Sequence, residues 1–341
     1  MPRTYYQPFT RFIPARHQVA LLLEFAHSRD LGSDTLLRGT RLFESDVLAP
    51  ETQISPAEYL HLLANLQNTL AAPDTSFMLG ELLLPGHFGN LSHALLQAGS
   101  LRQALEILIA WQSSLSPLLS PHLTLHGDNA VLYWSDSCAM PAQRAFVVEM
   151  MMAAVTGMGR WLSGERLPWS FRFNRTRPAH IEQYAVHLGT ELRFNDYMDA
   201  MSLPAAWLDR PWPRGSAMAV SAALAAVPES ERSMSLLAGL YDFLMENVRL
   251  SPTLEQASIE FGVSPATFKR HLAVHGTHFQ AELDQVRAHA TLQLIHTHGY
   301  ANEQIAAWLG FHDANNFRRS FKRWTGLTPS MLRAHLLETG S

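Results

Sequence analysis

Residues 310–326 read GFHDANNFRRSFKRWTG, and the reading of this stretch decides the fold. On a helix of 3.6 residues per turn, Phe317, Phe321 and Trp324 fall at i, i+4 and i+7 and share one narrow stripe. Asn315, Asn316, Arg319, Lys322 and Arg323 gather on the opposite side. One side is built for burial. The other carries amides, an ammonium and guanidinium groups toward solvent or toward a polyanion.

The stretch has an upstream counterpart. EQASIEFG begins at Glu255 and EQIAAWLG at Glu303, each running from Glu-Gln to a glycine, Gly262 and Gly310. After each glycine comes a second segment in which Phe268-Lys269-Arg270-His271-Leu272 aligns with Phe317-Arg318-Arg319-Ser320-Phe321. Each unit reads as a helix, a glycine turn and a second helix, the helix-turn-helix pattern. The glycines serve turns that need positive φ. Ser264 and Asp313 are placed to cap the second helices, Pro265 suits a first helical position, and Asn302 is placed to cap the helix before Gly310. In the first unit Phe268 and Leu272 form the buried stripe, while Ala266, Lys269 and Arg270 lie away from it or at its edge. Trp308 and Leu309 read as core beside Phe317, Phe321 and Trp324.

Between the units, Thr277 to about Thr297 reads as one helix. At 1.5 Å per residue it spans roughly 30 Å, close to the ~34 Å between successive major grooves on one face of B-DNA. Two second helices joined in this way suit adjacent grooves. Arg319 and Arg270 are the candidates for bidentate contact with guanine, and Asn315 and Asn316 for adenine or phosphate. Lys322, Arg323 and Lys269 are candidates for backbone contacts that position without specifying.

GFHDANNFRRSFKRWTGLTP resembles the C-terminal signature of the AraC/XylS family of bacterial transcription regulators, and the first unit resembles that family's upstream helix-turn-helix. The resemblance covers about 85 residues. It implies DNA-facing positions at Ala266, Lys269 and Arg270 in one unit and at Asn315, Asn316 and Arg319 in the other. At Asn315 this chain departs from the serine common in the family. SPAEYLHLLANL, LPGHFGNLSHALLQAGSLRQALEILIAW and LRFND resemble, less specifically, the α+β "arabinose-binding" type domain of one branch. That resemblance implies a regulatory domain that binds an effector, dimerises, or both, without implying a sugar.

The rest of the chain fits an α+β protein of two domains. Its 341 residues are ample for two cores, and 47% hydrophobic with 16% charged residues suits a chain that folds on its own. Residues 1–215 mix helical stretches with strands. HLTLHGDNAVLYW reads as a hairpin around Gly127-Asp128-Asn129, and WSFRFN, ELRFND and AMSLP as further strands of a small sheet. Residues 216–235 shift to small and polar residues around Pro228 and read as a linker. Residues 236–341 read as an all-α DNA-binding domain of two helix-turn-helix units joined by a long helix. LRQALEILIAWQSSL and AFVVEMMMAAVTGMGRWL are apolar around much of their circumference, as central helices or a dimer seam would be. Trp111, Tyr133, Trp134 and Phe171 are candidate walls of an effector pocket, because pockets favour aromatic linings; core packing is the plainer account of each.

Charge narrows the partners. The net charge is −4. Of 26 basic and 30 acidic residues, 8 and 7 lie from residue 251 onward, leaving 18 and 23 for the rest. DNA binding therefore has to rest on a few focused contacts, not a broad basic field. No apolar run reaches the roughly 18–20 residues that cross a bilayer, so no membrane partner is expected. The N-terminus lacks the apolar core of a secretory signal, and Cys138, the one cysteine, has no internal partner; both point to a cytoplasmic protein.

Enzymatic readings find little support. GxSxG, P-loop, GxGxxG and HExxH motifs are absent, so no cofactor or metal is expected. His271 and His275 have the i, i+4 spacing of a metal pair, but surface histidines are the plainer account. Some DNA-repair alkyl-transfer proteins pair a helix-turn-helix with a reactive cysteine; Cys138 lacks a setting that would lower its pKa. The expected partners are double-stranded promoter DNA, a second copy in a homodimer, a small-molecule effector and, for an activator, RNA polymerase. The alternative is a DNA-binding regulator without a small effector, controlled by a protein partner.

Overall fold

The computed structural model describes residues 5–337, which divide into two compact units. The N-terminal unit takes Tyr5–Thr124 and Asp128–Ser235, and the C-terminal unit takes Leu125–Gly127 at the tip of a hairpin and the chain from Leu236.

In the N-terminal unit the helices of seven or more residues are α1 (Ala15–His27), α2 (Pro56–Leu70), α3 (Thr75–Leu83), α4 (Asn90–Leu96), α5 (Leu101–Ala110), α6 (Arg144–Ser163), α7 (Ile181–His187) and α8 (Ala217–Ala225). The alternating runs form strands β1 (Leu119–His126), β2 (Asn129–Asp136), β3 (Ser170–Arg172), β4 (Leu192–Arg193) and β5 (Ala200–Pro204). They make one sheet in the order β1-β2-β5-β3-β4. β5 runs antiparallel to both neighbours, with Met201 opposite Leu132 on one side and Phe171 on the other. β4 joins parallel to β3. Gly127 turns the hairpin with φ +56°. A parallel pairing of Tyr5–Tyr6 with Met234–Ser235 ties the start of the unit to its end.

α3 and α6 form the centre of the core. Gly80 on α3 faces α6 so closely that a Cβ there would stand 2.2 Å from the Met150 carbonyl oxygen and 2.8 Å from Ala153 Cβ. Glycine thus permits backbone-to-backbone contact between the two helices. α6 is buried around most of its circumference, from Phe146 to Leu162. By length and composition it would cross a membrane, contrary to the expectation that no such run exists, but most of it lies inside this unit. α5 likewise buries Leu101, Ala104, Leu105, Ile107 and Leu108. α6 is therefore a central helix, and α5 packs one face into the same core. Arg144 at the start of α6 pairs with Asp136 at 3.0 Å and with buried Asp199, which pins the helix to the sheet.

Residues 216–235, expected as a linker, are structured. Ser216 caps α8 by accepting from the Ala219 amide, and Val220 and Ala223 are buried. α8 packs on α4, and the Ser216 amide donates to the Gln97 carbonyl.

The C-terminal unit is helical: α9 (Leu236–Asn247), α10 (Leu254–Glu260), α11 (Pro265–Val274), α12 (Phe279–His298), α13 (Asn302–Trp308), α14 (Ala314–Thr325) and α15 (Pro329–Leu337). α10–α11 and α13–α14 are the two helix-turn-helix units, and α12 is the connector. Gly262 and Gly310 end the first helix of each pair at φ +65° and +75°. Phe268, Leu272, Phe317 and Phe321 are fully buried, with Leu309 at 1% exposure. Trp308 and Trp324 are only half-buried. Trp308 instead meets the Arg249 guanidinium 5.4 Å from its ring centre.

Candidate nucleic-acid interface

The second helix of each unit is set by its first turn. Ser264 Oγ accepts from the Thr267 amide at 3.2 Å, with Pro265 at the first helical position. Asp313 Oδ1 accepts from the Asn316 amide at 2.7 Å. That amide holds the Asp313 carboxyl below the usual carboxylate range, so the cap is charged at neutral pH and favours the helix dipole. Asn302, expected as a cap, is instead the first residue of α13. There the Gln304 side chain accepts from the Ala301 amide at 2.8 Å. Asn302 Oδ1 accepts from Arg333 Nη1, whose neighbour Nη2 donates to the Tyr300 carbonyl, both at 2.8 Å. Arg333 thus ties α15 to the start of the second unit. Its partners lie about thirty residues upstream, beyond the reach of any local spacing.

Ala266, Lys269 and Arg270 on α11 are all exposed, as are Asn315, Asn316, Arg319, Lys322 and Arg323 on α14. Two have neighbours that shape them. Asn316 Nδ2 donates to Asp313 Oδ2 at 3.0 Å, and Arg323 pairs with Asp284 of the connector at 3.6 Å. Arg318, which the helical wheel leaves out, is exposed on α14 too. α12 is a single helix of 20 residues, about 30 Å long at 1.5 Å per residue. It buries Leu283, Val286, Ala290 and Leu294 and packs against α9 and α14. The two outward faces are therefore joined through one continuous helix.

The histidines divide. His275 at the end of α11 is 3% exposed, and neither ring nitrogen has a hydrogen-bond partner among the described residues. Burial, then His271, pushes its pKa down to about 4. It is a neutral core residue, and the expectation of a surface histidine fails there. Among the described residues no group of three or more His, Cys, Asp or Glu side chains is placed to hold a metal ion.

The four candidate pocket walls are buried. Trp111, Trp134 and Phe171 belong to the core at 3%, 2% and 1% exposure. Tyr133 is buried on the sheet, where its ring stacks on His122 at 5.0 Å. Each packs as bulk apolar side chains do. Cys138 is fully buried, and burial with the nearby Asp136 charge pushes its thiol up to about 12. A thiol in that setting is a poor nucleophile.

Two helix-turn-helix units joined by one helix, attached to an α+β domain, define a DNA-binding regulator. Residues 31–212 match the family model of the arabinose-binding domain of AraC transcription regulators, N-terminal, and residues 258–335 match a helix-turn-helix domain. The ornithine utilization regulator of Pseudomonas aeruginosa is 30% identical across 94% of this chain and 96% of its own length. An HTH-type transcriptional regulator of Mycobacterium tuberculosis is 24% identical across 92% of this chain and 95% of its own. The crystal structure of the transcriptional regulator CdpR from Pseudomonas aeruginosa aligns over 93% of this chain and 98% of that one, with a TM-score of 0.48 and 18% identity. The chain belongs to the AraC-type transcription regulators that join an arabinose-binding-type N-terminal domain to a helix-turn-helix domain.

Proposed function

We propose that this cytoplasmic regulator reads promoter DNA with two recognition helices in adjacent major grooves, under control of an effector bound to its N-terminal domain. The observation that carries the reading is the pair of exposed polar faces, on α11 and α14, fixed on one connector about 30 Å long. Arg270 and Arg319 take the base-reading positions, each able to fork onto a guanine. Asn315 and Asn316 read adenine or phosphate, and Ala266 lets α11 sit close in its groove. Lys269, Lys322 and Arg323 hold the phosphate backbone, with Arg323 leaving Asp284 to do so. A homodimer sets up to four reading helices on paired half-sites and raises affinity through effective concentration. As an activator it would present bound DNA to RNA polymerase. A protein of the same family is named for ornithine utilization, so ornithine is a first metabolite to test as effector.

Selection of genomic fragments by the purified protein at two salt concentrations tests the reading. The expected product is a recurring motif with half-sites about one helical turn apart. Arg319→Ala should then lose discrimination at one base position, worth roughly 1–3 kcal/mol, while keeping the fold. Weak, sequence-blind and salt-sensitive binding by the unaltered protein would reduce these faces to an electrostatic surface.

A further inference from the structure

We propose that the N-terminal domain binds a free α-amino acid in a cleft where Arg175 grips the carboxylate and Glu149 the ammonium. The proposal rests on reading this domain as the effector-binding part of the regulator. The cleft holds about 250 Å³ and is lined by Ser76 of α3, Phe146 and Glu149 of α6, Arg175, and His180 and Tyr184 at α7.

Its polar groups are fixed before any guest arrives. Glu149 is 8% exposed, inside the apolar centre of the unit. Ser76 Oγ donates to Glu149 Oε2 at 2.5 Å, and the Tyr184 hydroxyl donates to Oε1. Burial, followed by the Glu149 charge, drives the Tyr184 phenol far above its ordinary range, so it stays a neutral donor. Arg175 Nη2 lies 3.2 Å from Glu149 Oε1. The guanidinium also stands over the rings of Phe173 and Tyr184, at 4.9 and 5.7 Å from their centres.

The arrangement leaves capacity unused. Arg175 Nη2 is engaged by the Glu149 carboxylate, while Nε is buried and makes no hydrogen bond among the described residues. An idle donor on a guanidinium is costly, and a carboxylate is the group a guanidinium pairs with best. Glu149 Oε2 accepts only the Ser76 hydrogen bond among the described residues, so it can take a further N–H.

Charge then selects the class of guest. The Arg175–Glu149 pair is electrically neutral. A carboxylate alone would leave the cleft with a surplus negative charge, and an amine alone with a surplus positive one, each penalised in a partly buried site. A zwitterion satisfies both partners and adds no net charge. A neutral sugar offers a charge to neither. The volume lies below the roughly 300–1,000 Å³ of drug-sized pockets and suits a small metabolite.

The test is calorimetric titration of the full-length protein with the twenty L-amino acids, L-ornithine and L-norvaline. Pentanoate, 1-aminobutane and L-arabinose serve as controls; the first two are norvaline without its ammonium and without its carboxylate. Two variants accompany the wild type. Arg175→Met removes the guanidinium. Ala145→Phe fills the exposed mouth of the cleft and leaves the ion pair intact. Saturable binding of at least one amino acid is expected, weakened about tenfold or more in each variant, as loss of a charged hydrogen bond implies. If Arg175→Met does not fold, Ala145→Phe alone decides. Failure of every amino acid to bind, with specific DNA recognition intact, overturns the proposal and leaves the regulator reading standing. Pentanoate, 1-aminobutane or arabinose binding more tightly than any amino acid overturns it too, as does full affinity in Ala145→Phe. Loss of specific DNA recognition by the wild type, with amino-acid binding intact, overturns the regulator reading instead.

Discussion

Gly80→Ala separates the tertiary packing of the N-terminal domain from local helix preference, because the two predict opposite signs. In an exposed helix interior, alanine in place of glycine stabilises by about 1 kcal/mol. At position 80 the new methyl would sit 2.2 Å from the Met150 carbonyl oxygen and 3.0 Å from its carbonyl carbon. Both atoms belong to the α6 backbone and cannot rotate away, unlike the end of a flexible side chain. Reaching ordinary contact at about 3.4 Å requires α3 and α6 to separate by roughly 1 Å, and overpacking of that kind costs about 1–3 kcal/mol. With a carbonyl group as the obstacle, the upper end applies, and the net loss is about 2 kcal/mol. For a domain of this size that lowers the melting temperature by about 4–8 °C. Glu149 immediately precedes Met150, so the shift also disturbs the Arg175 cleft, while residues 236–337 are untouched. Thermal unfolding followed by calorimetry is the assay, with DNA affinity at low temperature as the control for the C-terminal domain. A melting temperature equal to or above that of the wild type would refute the close packing of α3 on α6.

Three further outcomes are expected. His275 has a folded-state pKa of about 4 against about 6.5 in an unfolded chain, so the unfolded state takes the proton first on acidification. Stability of the C-terminal domain should be full above pH 6.5 and fall as the pH drops toward 4, by about 2 kcal/mol at pH 5. His275→Leu should flatten that slope in denaturant titrations; an unchanged slope would remove His275 as its source. Ser264→Ala deletes the cap of α11 and should cost about 1 kcal/mol of C-terminal stability, together with affinity for the selected DNA motif; urea unfolding and a binding isotherm check both. Cys138 should resist a thiol reagent at pH 8 in the native protein and react fully in guanidinium, since its thiol is buried and its pKa lies near 12. Rapid labelling of the native chain would contradict that burial.

Legibility followed the range of the interactions involved. Phe268, Phe317 and Phe321 could be assigned to the core, and Ser264 and Asp313 to caps, because a helix repeats every 3.6 residues and a cap bonds three residues along. The five strands of the small sheet were visible as alternating runs in the same way. The Arg175 cleft was not, since Ser76 and Glu149 meet across 73 residues and Tyr184 and Glu149 across 35. Trp111, Trp134 and Phe171 drew attention as aromatic residues, yet aromatic bulk serves a core as well as a pocket, and only packing distinguishes them. Asn302 had the residue type of a cap, but Arg333 from the last helix claimed its side chain.

By itself the sequence determined the paired helix-turn-helix units, their spacer and the residues turned outward, since each is a matter of short-range periodicity along one chain. Tertiary structure alone decided that α6 is a central helix, that α8 packs against α4, and that Arg175 meets Glu149. The physical reason is that burial, close helix contact and charge pairing depend on which distant segments share a space, and no local spacing encodes that.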